Sequence, residues 1–110
     1  MKILLLEDDL ILNEIIQEHL LGKNHNVTSV FSGDEAQEII YTKTFDLMLL
    51  DVNVPNINGF ELLKDLRDSG IKTPAIFLTS AHMLEDVEKG FKSGCDDYIK
   101  KPFELRELDL

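Results

Sequence analysis

A chain of 110 residues with a formal charge of −10, 44% hydrophobic and 29% charged, has the size and balance of one soluble domain with a modest core. The acid excess and the lack of a Lys/Arg-rich run argue against direct contact with nucleic acid or an anionic membrane, and no apolar run reaches the length of a membrane span. The opening residues do not read as a cleavable signal, and the single cysteine, Cys95, excludes an internal disulfide, which suits a reducing cytoplasm.

Met1 to Leu6 is predicted as a buried strand, because Ile3, Leu4, Leu5 and Leu6 form a short apolar run that stops at Glu7-Asp8-Asp9. Leu12, Ile15, Ile16 and Leu20 then recur at helical spacing. Asn13, Glu14, Gln17 and Glu18 are expected on the other face, with Asp9 as N-cap and Gly22 as the stop. Val27 to Phe31 is a second strand, shorter and more polar, and so nearer an edge. Ser32-Gly33-Asp34-Glu35 has the Ser-x-x-Glu form of a capping box and opens a helix that turns Ala36, Ile39 and Ile40 inward.

Phe45 to Leu50 is the third strand. Its apolar run leads straight into Asp51, and the chain then changes to Val52-Asn53-Val54-Pro55-Asn56-Ile57-Asn58-Gly59, a loop shaped by Pro55 and Gly59. Asn58 is placed to cap a third helix with Leu62, Leu63 and Leu66 inward, ended by Ser69-Gly70. Pro74 introduces a fourth strand, Ala75 to Leu78, followed by Thr79-Ser80. Leu84, Val87 and Phe91 mark a fourth helix closed by Gly94; Gly90 inside it costs about 1 kcal/mol relative to Ala. A fifth strand at Asp97-Tyr98-Ile99 precedes Lys100-Lys101-Pro102, and a final helix starting near Phe103 is cut off at Leu110 after about two turns.

Five strands alternating with five helices through short connections make a doubly wound α/β pattern with a parallel sheet, since each return crosses over through a helix. In such a sheet the carboxyl ends of the strands share one side, where ligands collect. Glu7-Asp8, Asp51, Thr79 and Lys101 all follow strands, so three carboxylates, a hydroxyl and an ammonium converge. Crowded carboxylates repel unless a cation joins them, and an all-oxygen donor set suits Mg²⁺. A carboxylate in that setting can act as nucleophile toward a phosphoryl group, with a Lys and a hydroxyl stabilising charge on its oxygens. Each residue also has a plainer role when taken alone: Asp51 as a turn starter, Glu7-Asp8 as charges at a helix start, Thr79 as a locally bonded hydroxyl, Lys101 as a surface cation.

Taken together, Glu7-Asp8, Asp51 in its Asp-Val-Asn-Val-Pro-Asn-Ile-Asn-Gly context, Thr79-Ser80 and Tyr98-Ile99-Lys100-Lys101-Pro102-Phe103 make the chain resemble the receiver domain of a bacterial two-component response regulator over essentially its whole length. The resemblance implies a flavodoxin-like five-stranded sheet of order 2-1-3-4-5. It implies that Asp51 is the phosphoacceptor, that Asp8 ligates Mg²⁺ with Glu7 acting through water, and that the backbone carbonyl of Asn53 completes the set. Thr79 and Lys101 would contact the phosphoryl group, and Tyr98 would follow Thr79 as a switch. Of the two lysines, Lys101 directly precedes the Pro and fits the family pattern.

A sensor histidine kinase is the implied phosphodonor in the cytoplasm, and the face formed by the fourth helix, fifth strand and fifth helix is the implied homodimer surface. The ending Lys-Pro-Phe-Glu-Leu-Arg-Glu-Leu-Asp-Leu resembles receivers joined to a winged-helix domain, so residues 1–110 are expected to be one domain whose DNA contact is made by an output domain absent from this stretch. A stand-alone receiver or phosphorelay carrier is the alternative, and a degenerate receiver acting only as a binding module is another. An aspartate-nucleophile phosphatase of the haloacid dehalogenase type needs an acid two residues after the nucleophile, where this chain has Asn53.

Overall fold

The computed structural model describes residues 1–80 and 94–109. Its five strands are β1 (Lys2–Leu6), β2 (Asn26–Val30), β3 (Leu47–Asp51), β4 (Ala75–Ser80) and β5 (Asp97–Lys101). They pair all in parallel in the order β2-β1-β3-β4-β5, as the resemblance implies. Three helices are described, α1 (Leu10–Gly22), α2 (Gly33–Ile40) and α3 (Gly59–Asp68). The predicted fourth helix, with Leu84, Val87, Gly90 and Phe91, lies outside the described residues.

The continuous apolar runs of β1 and β3 arise because the sheet is covered on both faces. Strand side chains alternate, so Leu4, Leu6, Met48 and Leu50 enter one core cluster with Ala36 and Ile40 of α2 and Leu62, Leu63 and Leu66 of α3. Ile3, Leu5, Leu47 and Leu49 enter the other with Ile16 and Leu20 of α1 and Leu108. Each fully buried leucine contributes about 1.5–3 kcal/mol. Nine of the ten residues of β1 and β3 are buried between the two layers, which anchors the carboxyl ends of both strands.

Local details depart from expectation in four places. Asn13 is completely buried, whereas Ile15 is 42% exposed, so the inward face of α1 runs through Asn13, Ile16 and Leu20. Gly22 is the last residue of α1 rather than its stop; Lys23 caps the helix and Asn24, at φ 67°, makes the left-handed turn. The Ser32 hydroxyl donates to Glu35 Oε1 at 3.0 Å instead of capping a backbone amide. The final helix is a single 3₁₀ turn, Leu105–Leu108, with a capping box between Glu104 and Glu107. The caps at Asp9 and Asn58 form as predicted: Asp9 accepts from Ile11 and Leu12 N–H, and Asn58 accepts from Glu61 N–H at 2.9 Å.

Candidate phosphoryl-acceptor and cation site

β3 ends at Asp51, which is 5% exposed and paired in register with Leu78 of β4. The loop beyond it is tied to the core. Val52 and Val54 are buried in the core, Val52 N–H donates to Leu78 O at 3.2 Å, and Gly59 N–H donates to Val52 O at 2.9 Å. Two glycines are required by close approach: a Cβ at Gly59 would lie 2.7 Å from Asp51 O, and one at Gly33 would lie 1.8 Å from Ile57 O. The start of α2 therefore presses on the loop, and Asn56, at φ 70°, ties to it by donating from Nδ2 to Asp34 Oδ1 at 2.8 Å. That bond, first, and one with Ser32 hold the Asp34 carboxyl below its usual range.

Glu7, Asp8, Asp9, Asp51, Val52, Asn53, Thr79, Ser80 and Lys101 line an open cleft of about 440 Å³ at the carboxyl edge of the sheet. One carboxylate oxygen each from Glu7, Asp8 and Asp51 lies within 4.8 Å of the other two. Glu7 is fully buried while Asp8 is exposed. Lys101 Nζ donates to Glu7 Oε1 at 2.5 Å and to Asp51 Oδ2 at 3.3 Å. Asp51 Oδ1 accepts from Asn53 N–H at 3.1 Å, so the carboxylate is held from both sides.

Burial, above all, and a hydrogen bond with Asp51 push the Glu7 carboxyl above its usual range against the opposing pull of Lys101. Burial alone would lower the Lys101 ammonium; the hydrogen bond to Glu7 and the charges of Asp51 and Glu7 outweigh it and raise it. The tightest ion pair of the cleft therefore joins Lys101 to Glu7 rather than to Asp51.

The sequence-predicted residues Glu7, Asp8, Asp51, Asn53, Thr79 and Lys101 all meet at this cleft. Thr79 is 1% exposed, and its hydroxyl donates to Ser80 O at 3.3 Å. Tyr98 sits on β5 opposite Phe77, half-buried against the core cluster that holds Phe77 and Cys95. Asn13 is the polar residue that sequence reasoning misplaced. Its position three and seven residues before Ile16 and Leu20 is the signal that puts it inside.

The donor set is all oxygen, three carboxylates from two strand ends, which is the chemistry a hard dication such as Mg²⁺ takes. The residues present fit such an ion. Among the described residues, no helix is long and apolar enough to cross a membrane.

The family model described as response regulator receiver domain matches residues 3–110. The transcriptional regulatory protein DltR of Streptococcus agalactiae is 43% identical over 108 residues, which is 98% of this chain and 48% of DltR. The transcriptional regulatory protein CiaR of Streptococcus pneumoniae is 43% identical over 109 residues, 99% of this chain and 48% of CiaR. The chain spans about half the length of these curated relatives. The receiver domain of the Francisella response regulator 1452 superposes with a TM-score of 0.92 at 36% identity, covering 97% of this chain and 88% of that one.

Proposed function

The chain belongs to the response regulator receiver domain family, a phosphorylation-dependent signalling switch, and we propose that it works by accepting a phosphoryl group on Asp51 from a sensor histidine kinase. The observation that carries this reading is the placement of Asp51: a buried carboxylate at the end of the central strand, 3.3 Å from the Lys101 ammonium and within 4.8 Å of Glu7 and Asp8.

In this reading the Asp51 oxygen attacks the phosphorus in line, and the bond to the donor nitrogen breaks as the new P–O bond forms. Asn53 N–H and Lys101 aim the carboxylate, and the dry floor made by Val52 and the core beneath it excludes water from that side. Lys101 leaves Glu7 to pair with the arriving phosphoryl oxygens, and the Thr79 hydroxyl gives up its 3.3 Å bond to Ser80 O to donate to them. Glu7, Asp8, Asp51 and the Asn53 carbonyl would hold Mg²⁺, which supplies charge neutralisation for an anionic donor when bound. The added charge of about −1.5 to −2 draws Thr79 inward, and Tyr98 on the neighbouring strand follows.

The names of the relatives, both transcriptional regulatory proteins, support an output in transcription. We extend transcription regulation to this protein in the cytoplasm, through a winged-helix domain attached to residues 1–110, with a homodimer formed by the face that includes β5. The test is to treat the protein with Mg²⁺ and acetyl phosphate, or with beryllofluoride as a phosphoryl mimic. The wild type gains one phosphoryl group by mass and shifts its NMR spectrum around Thr79 and Tyr98, and Asp51→Ala does neither. Equal modification of Asp51→Ala would sink the assignment.

A further inference from the structure

The buried polar cluster behind the cleft is the feature that the site chemistry does not absorb. Asn13 is fully buried on α1, yet its amide is bonded at both ends. Nδ2 donates to the Glu7 backbone carbonyl at 2.9 Å. Oδ1 accepts from Gln17 Nε2 at 2.8 Å and from the Ser29 hydroxyl of β2. With two donors aimed at Oδ1, the nitrogen must face Glu7; the flipped amide would set oxygen against oxygen.

Resting on the reading of the cleft as a cation site, we propose that Asn13 is a positioning residue for the acidic pair: by fixing the Glu7 carbonyl it sets the directions in which Glu7 and Asp8 project, and so the affinity for a divalent cation. Glu7 follows the last residue of β1, so its peptide is no longer held by the ladder to β3. Its N–H donates to Val30 O at 3.2 Å, its carbonyl is held by Asn13, and its carboxylate accepts from Asp9 N–H at 3.2 Å and from Lys101. The peptide between Glu7 and Asp8 is planar, so the direction of the Glu7 carbonyl also sets the start of Asp8. Asp8 is the exposed member of the trio. Asn13 itself is fully buried and is not among the residues that line the cleft.

A residue that only satisfied a buried carbonyl would affect melting temperature alone. A positioning residue also moves cation affinity. Mg²⁺ is titrated by calorimetry into wild type, Asn13→Leu and Ser29→Ala, and acetyl phosphate-driven phosphorylation is followed at low and saturating Mg²⁺. Leu is neutral, similar in volume and donates nothing; Ser29→Ala deletes a partner of Oδ1 while leaving the Glu7 bond. Asn13→Leu binds Mg²⁺ at least threefold more weakly, is phosphorylated more slowly at low Mg²⁺, and recovers at saturation, while Ser29→Ala stays within twofold throughout. If Asn13→Leu does not fold, Asn13→Ala is judged by the same thresholds. A folded Asn13 variant that binds Mg²⁺ within twofold of wild type overturns the proposal, as does an equal loss in Ser29→Ala. A wild type that binds no Mg²⁺ overturns the cation reading itself, and this proposal with it.

Discussion

Replacing Lys101 by Met keeps the length of the side chain and deletes its ammonium. The ammonium lies 2.5 Å from a fully buried Glu7 and 3.3 Å from Asp51, whose side chain is 8% exposed. Removing one partner of a buried ion pair costs roughly 3–5 kcal/mol. The Lys101 side chain is 24% exposed on an open cleft, so water screens part of this, leaving about 2 kcal/mol at pH 7. That corresponds to a drop of about 8 °C in Tm for a domain of this size. The pH dependence has a definite sign. Burial, first, and Asp51 already raise the Glu7 carboxyl above its usual range, so the folded state retains a proton that the unfolded chain has released. Stability therefore falls as pH rises from the ordinary Glu value through the raised one. Without Lys101 the folded value rises further, so the deficit of the variant is largest at pH 7 and shrinks toward pH 5. Thermal unfolding followed by circular dichroism at the two pH values measures both effects. A variant that melts within about 2 °C of wild type at pH 7, or whose deficit grows on acidification, would refute the account of the cluster.

Gly33→Ala drives a Cβ to 1.8 Å from Ile57 O, a backbone atom of the loop that follows β3. The expected loss is about 3 kcal/mol, read as a lower urea midpoint; an unchanged midpoint contradicts the close approach. Asn58→Ala removes the cap on Glu61 N–H and should cost about 1 kcal/mol in the same assay, with no loss arguing that the cap is idle. Cys95 is 7% exposed, and burial, followed by the charges of Asp96 and Asp97, pushes its thiol up. Iodoacetamide at pH 7 should therefore label it much more slowly in the folded protein than in urea; equal rates would place the thiol at the surface.

The strands were legible because burial on both faces writes an unbroken apolar run, and Ile3 to Leu6 and Leu47 to Leu50 are such runs. Helix starts at Asp9 and Asn58 were legible because a cap is a local event, decided by a side chain and an amide two or three residues away. Gly22 misled because the left-handed position fell two residues later, on Asn24, a residue type that also tolerates it. Ser32 misled because Glu35 captured its hydroxyl. The final helix shrank to one 3₁₀ turn, which seats Leu108 in the core beside Ile16 and Leu20 with only four residues.

The site was more legible than the face behind it, and the reason is geometric. Parallel strands carry their ends to one edge whatever the intervening helices do, so the residue after each apolar run can be placed without knowing any side-chain contact. That rule places Glu7, Asp8, Asp51, Thr79 and Lys101 at one cleft, where the structure also has them. It cannot order them, because a Glu at the first position reaches one methylene further than an Asp. In this chain that reach lets Glu7, rather than Asp51, hold the Lys101 ammonium at 2.5 Å. Asp51 is thereby left with the longer bond, and in the proposed mechanism the cation that must meet the phosphoryl group is stored on its neighbour. Glu7→Asp should shorten that reach, move Lys101 toward Asp51 and slow phosphorylation by acetyl phosphate, because the ammonium would then have to leave the attacking carboxylate itself. A faster reaction in Glu7→Asp would mean that Glu7 restrains Lys101 instead of keeping it ready.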